Sequence, residues 1–259
     1  MEPAQIFHQR VMYQVTRALQ ERTPYVLKGG TGLLFARNLD RHSTDLDFDT
    51  HRAVRIEEIV RHAFKKVSVK LLEVNRMKDS HAMQRFKFHY HNAASDMRDF
   101  LKIETKTGKD IPADMIETVN KVRTYTLLHS YDQKVTAFQE RTAGRDLYDL
   151  SFLTRTYANQ LTDTQIATML SVTEDVDWIE ERFALAWRKD AILFPGKDLE
   201  QSLLELRLAL EHRRDNPPPP PVAQEIPVKP QPRAKPVRKA RQDDDLLDWQ
   251  KPPDPFGRW

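Results

Sequence analysis

Lys28-Gly29-Gly30-Thr31, followed after a short apolar run by Arg41-His42-Ser43-Thr44-Asp45-Leu46-Asp47-Phe48-Asp49, is the stretch that decides how this chain folds. An apolar, strand-like triplet (Tyr25, Val26, Leu27) enters the two glycines, and a helix-like run (Leu33, Leu34, Phe35, Ala36) leaves them. Glycine lets a backbone turn sharply and approach a ligand, and the free N–H groups at a helix start suit a phosphate. In an extended strand, Asp45 and Asp47 share one face while Leu46 and Phe48 point to the core. Two adjacent carboxylates are costly to hold together without a cation between them. A phosphate cradle beside a paired acidic strand suits a nucleotide–Mg²⁺ site.

Working outward, Ile6, Val11, Val15 and Leu19 recur at helical spacing over residues 4–22, and Pro24 stops that helix. A second amphipathic helix is expected over Val54–Phe64, then strands over Val67–Val74, Met83–His91 and Phe100–Thr105. In the middle one, Gln84, Phe86, Phe88 and Tyr90 alternate with Arg85, Lys87, His89 and His91. From Tyr125 onward the periodicity is helical, with runs around 127–138, 147–153, 162–170, 174–189 and 198–213. The expected fold is α+β: a mixed sheet with helices on one side, then a helical C-terminal half. The domains expected are 1–120 (α+β), 121–216 (helical) and 217–259 (a tail).

Twelve of the 16 prolines lie at or after Pro217, so the tail cannot pack a core and reads as disordered, basic and then acidic. Leu246, Leu247 and Trp249 among aspartates form a candidate binding motif for a protein partner. The absence of cysteine excludes disulfides and thiolate metal sites. No apolar run approaches the ~18 residues of a membrane span, and the N-terminus has no signal pattern. No membrane association is expected, and the cytoplasm is the expected location. His81, His89, His91 and His129 lack the ligand spacing of a zinc site and read as polar strand or surface residues.

The turn with its Asp-x-Asp pair resembles motif one of the nucleotidyltransferase fold. The fuller string, Gly-Gly-Thr and then Arg-x-Ser-Thr-Asp-Leu-Asp-Phe, resembles the AbiEii/AbiGii toxin family over roughly residues 20–160. Gly32 departs from the alanine expected there and would loosen the helix start. A third carboxylate is expected from Phe100-Leu101-Lys102-Ile103-Glu104, where alternation puts Glu104 and Lys102 on one face. The metal set is then Asp45, Asp47 and Glu104, holding two Mg²⁺ ions, with Mn²⁺ as a substitute. Asp49 is expected past the strand end and outside that set. The resemblance makes Lys134 and Asp146 active-site elements. Physically, Lys134 would hold triphosphate oxygens as a point charge, and Asp146 would orient it or merely cap its helix. Gly29, Gly30 and Thr31 would cradle phosphate; Ser43 should touch it by the resemblance, or else form a turn. Arg41 would meet phosphate or remain solvated, and Asp149 would pair on a helix surface.

The resemblance implies a toxin of a toxin–antitoxin or abortive-infection (phage-defence) system. It implies transfer of a nucleoside monophosphate from GTP or another triphosphate to an RNA, such as a transfer RNA end, or to a protein. A separately encoded antitoxin would be a partner. The same residues would serve a kinase-like phosphotransferase, and a non-catalytic adaptor working through its tail is the alternative from another class.

Overall fold

The computed structural model describes residues 2–219, one compact unit. The tail and its Leu246–Trp249 motif lie outside the described residues.

Helix α1 (Pro3–Arg22) opens with Pro3 in its first turn and a reciprocal Glu2/Gln5 capping box, and it ends before Pro24. Strand β1 (Val26–Lys28) runs directly into helix α2 (Gly29–Arg37), which stops at Asn38 in the left-handed region. Strand β2 (Asp45–Asp49), helix α3 (Glu57–Lys66) and strands β3 (Leu71–Asp79), β4 (Met83–Asn92) and β5 (Met97–Lys106) follow. β3 begins later than its apolar residues suggest, because Val67 ends α3 and Ser68 and Val69 hydrogen-bond back onto it.

A further hairpin, β6 (Ile116–Val119) and β7 (Val122–Tyr125), completes a seven-stranded mixed sheet of order β3-β4-β5-β2-β1-β7-β6. β7 runs parallel to β1, so the sheet extends to Tyr125, past the boundary expected at residue 120. Five helices follow: α4 (Leu127–Glu140), α5 (Gly144–Tyr157), α6 (Asp163–Val172), α7 (Val176–Asp190) and α8 (Leu199–Asp215). Thr162, Asp175 and Asp198 cap the last three by accepting from backbone N–H groups.

One sheet face is apolar. Leu46, Phe48, Phe86, Phe88, Leu101 and Ile103 pack there with Val15 and Leu19 of α1 and Val60 and Phe64 of α3. Burying each large side chain contributes about 1.5–3 kcal/mol. The helical half has its own core, which Leu33 of α2 and Leu39 join. The helical half is therefore docked through α2 and the loop after it. The opposite sheet face, carrying the aspartates, stays open toward a cleft. Gly32 has a tighter role than expected: a Cβ there would come within 3.1 Å of Thr124 Oγ1 on β7.

Candidate active site

Parallel pairing of β2 with β5 sets Asp45 opposite Lys102 and Asp47 opposite Glu104. Strand alternation then puts all four on the open face, although among the described residues the three carboxylates do not converge into a group placed to hold a metal ion. Their partners differ. Asp45 accepts from Lys102 Nζ at 2.9 Å, so Lys102 balances Asp45 rather than Glu104. Glu104 is held by Arg85, Nε at 2.8 Å and Nη2 at 2.7 Å. Asp47, between them, has no hydrogen-bond or ion-pair partner among the described residues. Burial, and next the charge of Asp45, push its carboxyl above the usual range.

Asp49 corrects an expectation, since it lies inside β2 and is fully buried. It accepts from Lys28 at 2.5 Å, Lys109 at 3.1 Å and the Tyr125 hydroxyl at 2.8 Å. Burial alone would raise its carboxyl, but the Lys28 hydrogen bond and charge outweigh that and hold it low. With both oxygens occupied, Asp49 supports the strand.

The glycine turn sits beside this set. Gly29 has φ +69°, which only glycine adopts without strain, and a Cβ there would lie 3.4 Å from Asp47 Oδ2. Lys28 provides no side-chain cap to α2, so the N–H groups of the first turn lack a capping side chain. A Cβ on Gly30 would collide with the Arg41 guanidinium. Thr31 is buried, and its hydroxyl donates to the Asp45 carbonyl at 2.5 Å, leaving Ser43 to donate to Thr31 at 2.7 Å. These two hydroxyls lock the turn to the start of β2. Their side chains are thus engaged with each other, which leaves the backbone N–H groups of Gly29–Thr31 as what the turn can offer an anion.

The helical half supplies a second charged cluster. Lys134 of α4 is buried and lies 3.0 Å from Asp146 Oδ1 and 2.6 Å from Asp149 Oδ2. Arg141 grips Asp146 through Nε at 2.7 Å and Nη2 at 3.0 Å. Asp146 does not cap α5, whose first turn has no side-chain cap. It holds the two cations instead. Burial alone would raise its carboxyl, yet Lys134 and Arg141 outweigh that and bring it to about 2. Asp149 is fully buried rather than on a helix surface, and Arg41 is buried rather than solvated. They form a two-pronged pair at 2.6 and 2.8 Å across 108 residues of sequence. Against burial, Arg41 and Lys134 hold the Asp149 carboxyl below the usual range.

Three cations (Arg41, Lys134, Arg141) against two carboxylates leave one net positive charge beside the glycine turn. Arg141 is its solvent-facing member, its side chain 55% exposed. Sequence reasoning missed Arg141, Lys28 and Arg85. The available signal was that buried carboxylates on a strand or helix demand cations. Together the two clusters line an open cleft of about 740 Å³, with Gly29, Gly30, Asp45, Asp47, Glu104 and Lys134 in its wall.

The model of the AbiEii family, nucleotidyl transferase toxins of type IV toxin–antitoxin systems, matches residues 10–251. The crystal structure of JHP933 from Helicobacter pylori is similar with a TM-score of 0.76 at 25% identity, covering 83% of this chain and 94% of that one. A second H. pylori structure, of a protein provisionally described as a nucleotidyltransferase, is similar with a TM-score of 0.75 at 26% identity. It covers 83% of this chain and 96% of its own. No curated protein matches the sequence.

Proposed function

The chain belongs to the AbiEii nucleotidyl transferase toxin family, and on that premise we propose a metal-dependent transfer of a nucleoside monophosphate from GTP or another triphosphate to an RNA or protein hydroxyl. The observation that carries this reading is Asp47: a half-buried carboxylate with no ion-pair partner among the described residues, between Asp45 and Glu104 and against the glycine turn. A set of hard carboxylate oxygens fits Mg²⁺, or Mn²⁺ in its place. Asp45, Asp47 and Glu104 would hold it. When bound, it would supply positive charge to the reacting phosphate and to the attacking hydroxyl.

The rest of the work falls to the chain itself. The backbone N–H groups of Gly29, Gly30 and Thr31 would receive phosphate oxygens at the positive end of α2. Lys134 and Arg141, fixed by Asp146, would place positive charge on the same triphosphate from the opposite wall. Transfer joins the acceptor oxygen to the α-phosphorus and breaks its bond to the β-phosphate bridge, releasing pyrophosphate. Positioning and preorganised charge would supply most of the acceleration. The antitoxin is the expected regulatory partner. Among the described residues no helix is long and apolar enough to cross a membrane.

The test is incubation with Mg²⁺, α-³²P- or γ-³²P-labelled triphosphates and total RNA or protein, beside an Asp45→Ala/Asp47→Ala control. Label from the α-position on an acceptor, absent in the control, is expected. Label only from the γ-position would replace nucleotidyl transfer with phosphoryl transfer.

A further inference from the structure

Helix α7 packs inward through Ile179, Phe183 and Trp187, which belong to the core of the helical half. Its outer side is not uniformly polar. Trp178, Leu185 and, in the helical turn that continues α7, Ile192 are 49%, 75% and 76% exposed. Scattered exposed apolar residues are ordinary. These three recur every seven residues, just under two helical turns, so they fall in one stripe about 21 Å long. The charges beside the stripe are segregated: Asp175, Asp177, Glu180 and Glu181 at its start, Arg188 and Lys189 toward its end. Such segregation suits the helix dipole, but the dipole asks for no apolar stripe between the two signs. Glu181, Arg188 and Lys189 have no ion-pair partner among the described residues. Elsewhere in the helical half, Arg155, Arg207 and Arg213 are each paired with an acidic residue.

We infer that this face joins two copies of the chain, α7 antiparallel to α7, about a two-fold axis at Leu185. A two-fold interface must be complementary to itself, and reversing α7 about Leu185 makes it so. Leu185 meets its own counterpart, and Trp178 meets Ile192 of the other copy. Glu181 falls opposite Arg188 and Lys189 of the other copy, so the unpaired charges find opposite ones, twice over by symmetry. Arg182 would face like charges there, but it is held on its own chain. It donates to Thr142 Oγ1 and to the Gln139 carbonyl, with its guanidinium 4.9 Å from the Trp178 ring centroid. A parallel pairing would set acid against acid and base against base. The stripe ends beside the cleft, since Leu193 lines the cleft and accepts from the His42 N–H at 2.9 Å. The contact does not depend on which group the site transfers.

One helix pair lies at the small end of stable interfaces, so a dissociation constant of about 10 µM is expected. Sedimentation equilibrium of the full chain, at concentrations spanning that value, should show monomer and dimer in exchange. Leu185→Glu, at a position that fills no core, should weaken the dimer at least about tenfold and leave the circular dichroism spectrum unchanged. Glu181→Lys alone should weaken it too, and adding Arg188→Glu and Lys189→Glu should restore it. That reversal separates this pairing from any other dimer, which would have no reason to recover. A wild type that stays monomeric at about ten times the expected constant would overturn the inference. So would a dimer indifferent to Leu185→Glu, or one that the reversal does not restore. A monomer that binds its antitoxin through Leu185 would overturn it as well, since the occupant would then be a different protein.

Discussion

Two carboxylate clusters flank the same cleft, one in its wall and the other buried behind the cations that line it, and they differ in who neutralises them. On α5, Asp146 and Asp149 are surrounded by Arg41, Lys134 and Arg141, all contributed by the chain. On the sheet, Asp45 and Glu104 have one basic residue each and Asp47 has none. Where the chain brings its own cations, the carboxylates fix structure and aim a lysine. Where it leaves one carboxylate bare, the proposed metal would supply the cation. The same residue type thus has opposite roles, set by strand register in one case and by helix docking in the other.

The largest effect should fall on chemistry without touching the fold. Asp45→Ala/Asp47→Ala is expected to cut transfer about a thousandfold or more in a steady-state assay, with an unchanged circular dichroism spectrum. Asp149→Ala should do the reverse of what Asp47→Asn does to stability. It strands Arg41 in the interior, leaves Lys134 with Asp146 alone, and should cost about 3–5 kcal/mol in urea unfolding. Metal-free Asp47→Asn, which removes a half-buried charge without an ion-pair partner, should instead be more stable than the wild type. Equal losses in the two variants would erase the distinction between the clusters.

The pH dependence sharpens the same contrast. The folded Asp146 carboxyl, at about 2, lies below its ordinary 3.8, so its contribution is complete above the ordinary value. It is lost as pH falls from about 4 toward 2, and amounts to about 2 kcal/mol. Denaturation followed across that range should show a shallower acid limb in Asp146→Asn. The smallest effect expected is at Gly32→Ala. Its new methyl must displace Thr124 Oγ1 slightly, while helix propensity favours alanine by up to about 1 kcal/mol. The net change in melting temperature should be within a few degrees.

Much of this was legible in the sequence because it is periodic. The alternation from Gln84 to Tyr90 gave β4 with its faces, and the Asp-x-Asp spacing put Asp45 and Asp47 on one side. The same rule, carried one step further, would have kept Asp49 in the strand. The β6–β7 hairpin escaped notice for a physical reason. Its strands have four residues each, and its turn places Asn120 and Lys121 in the left-handed region, without the glycine that usually signals such a turn. The Arg41–Asp149 pair was invisible for another: no local pattern joins residues so far apart, and only docking of the helical half onto α2 brings them together. Family resemblance singled out Lys134 and Asp146, and the geometry added Arg141 as the cation that shares Asp146 with Lys134.

A metal–triphosphate complex is proposed to supply the cation that Asp47 lacks. Calorimetric titration of a non-hydrolysable triphosphate into the wild-type chain and into Asp47→Asn, each with Mg²⁺ and with a chelator, tests that most directly. Mg²⁺-dependent binding by the wild type is expected, with at least a tenfold loss in the variant. Equal affinity in both proteins, or binding indifferent to the chelator, would contradict it.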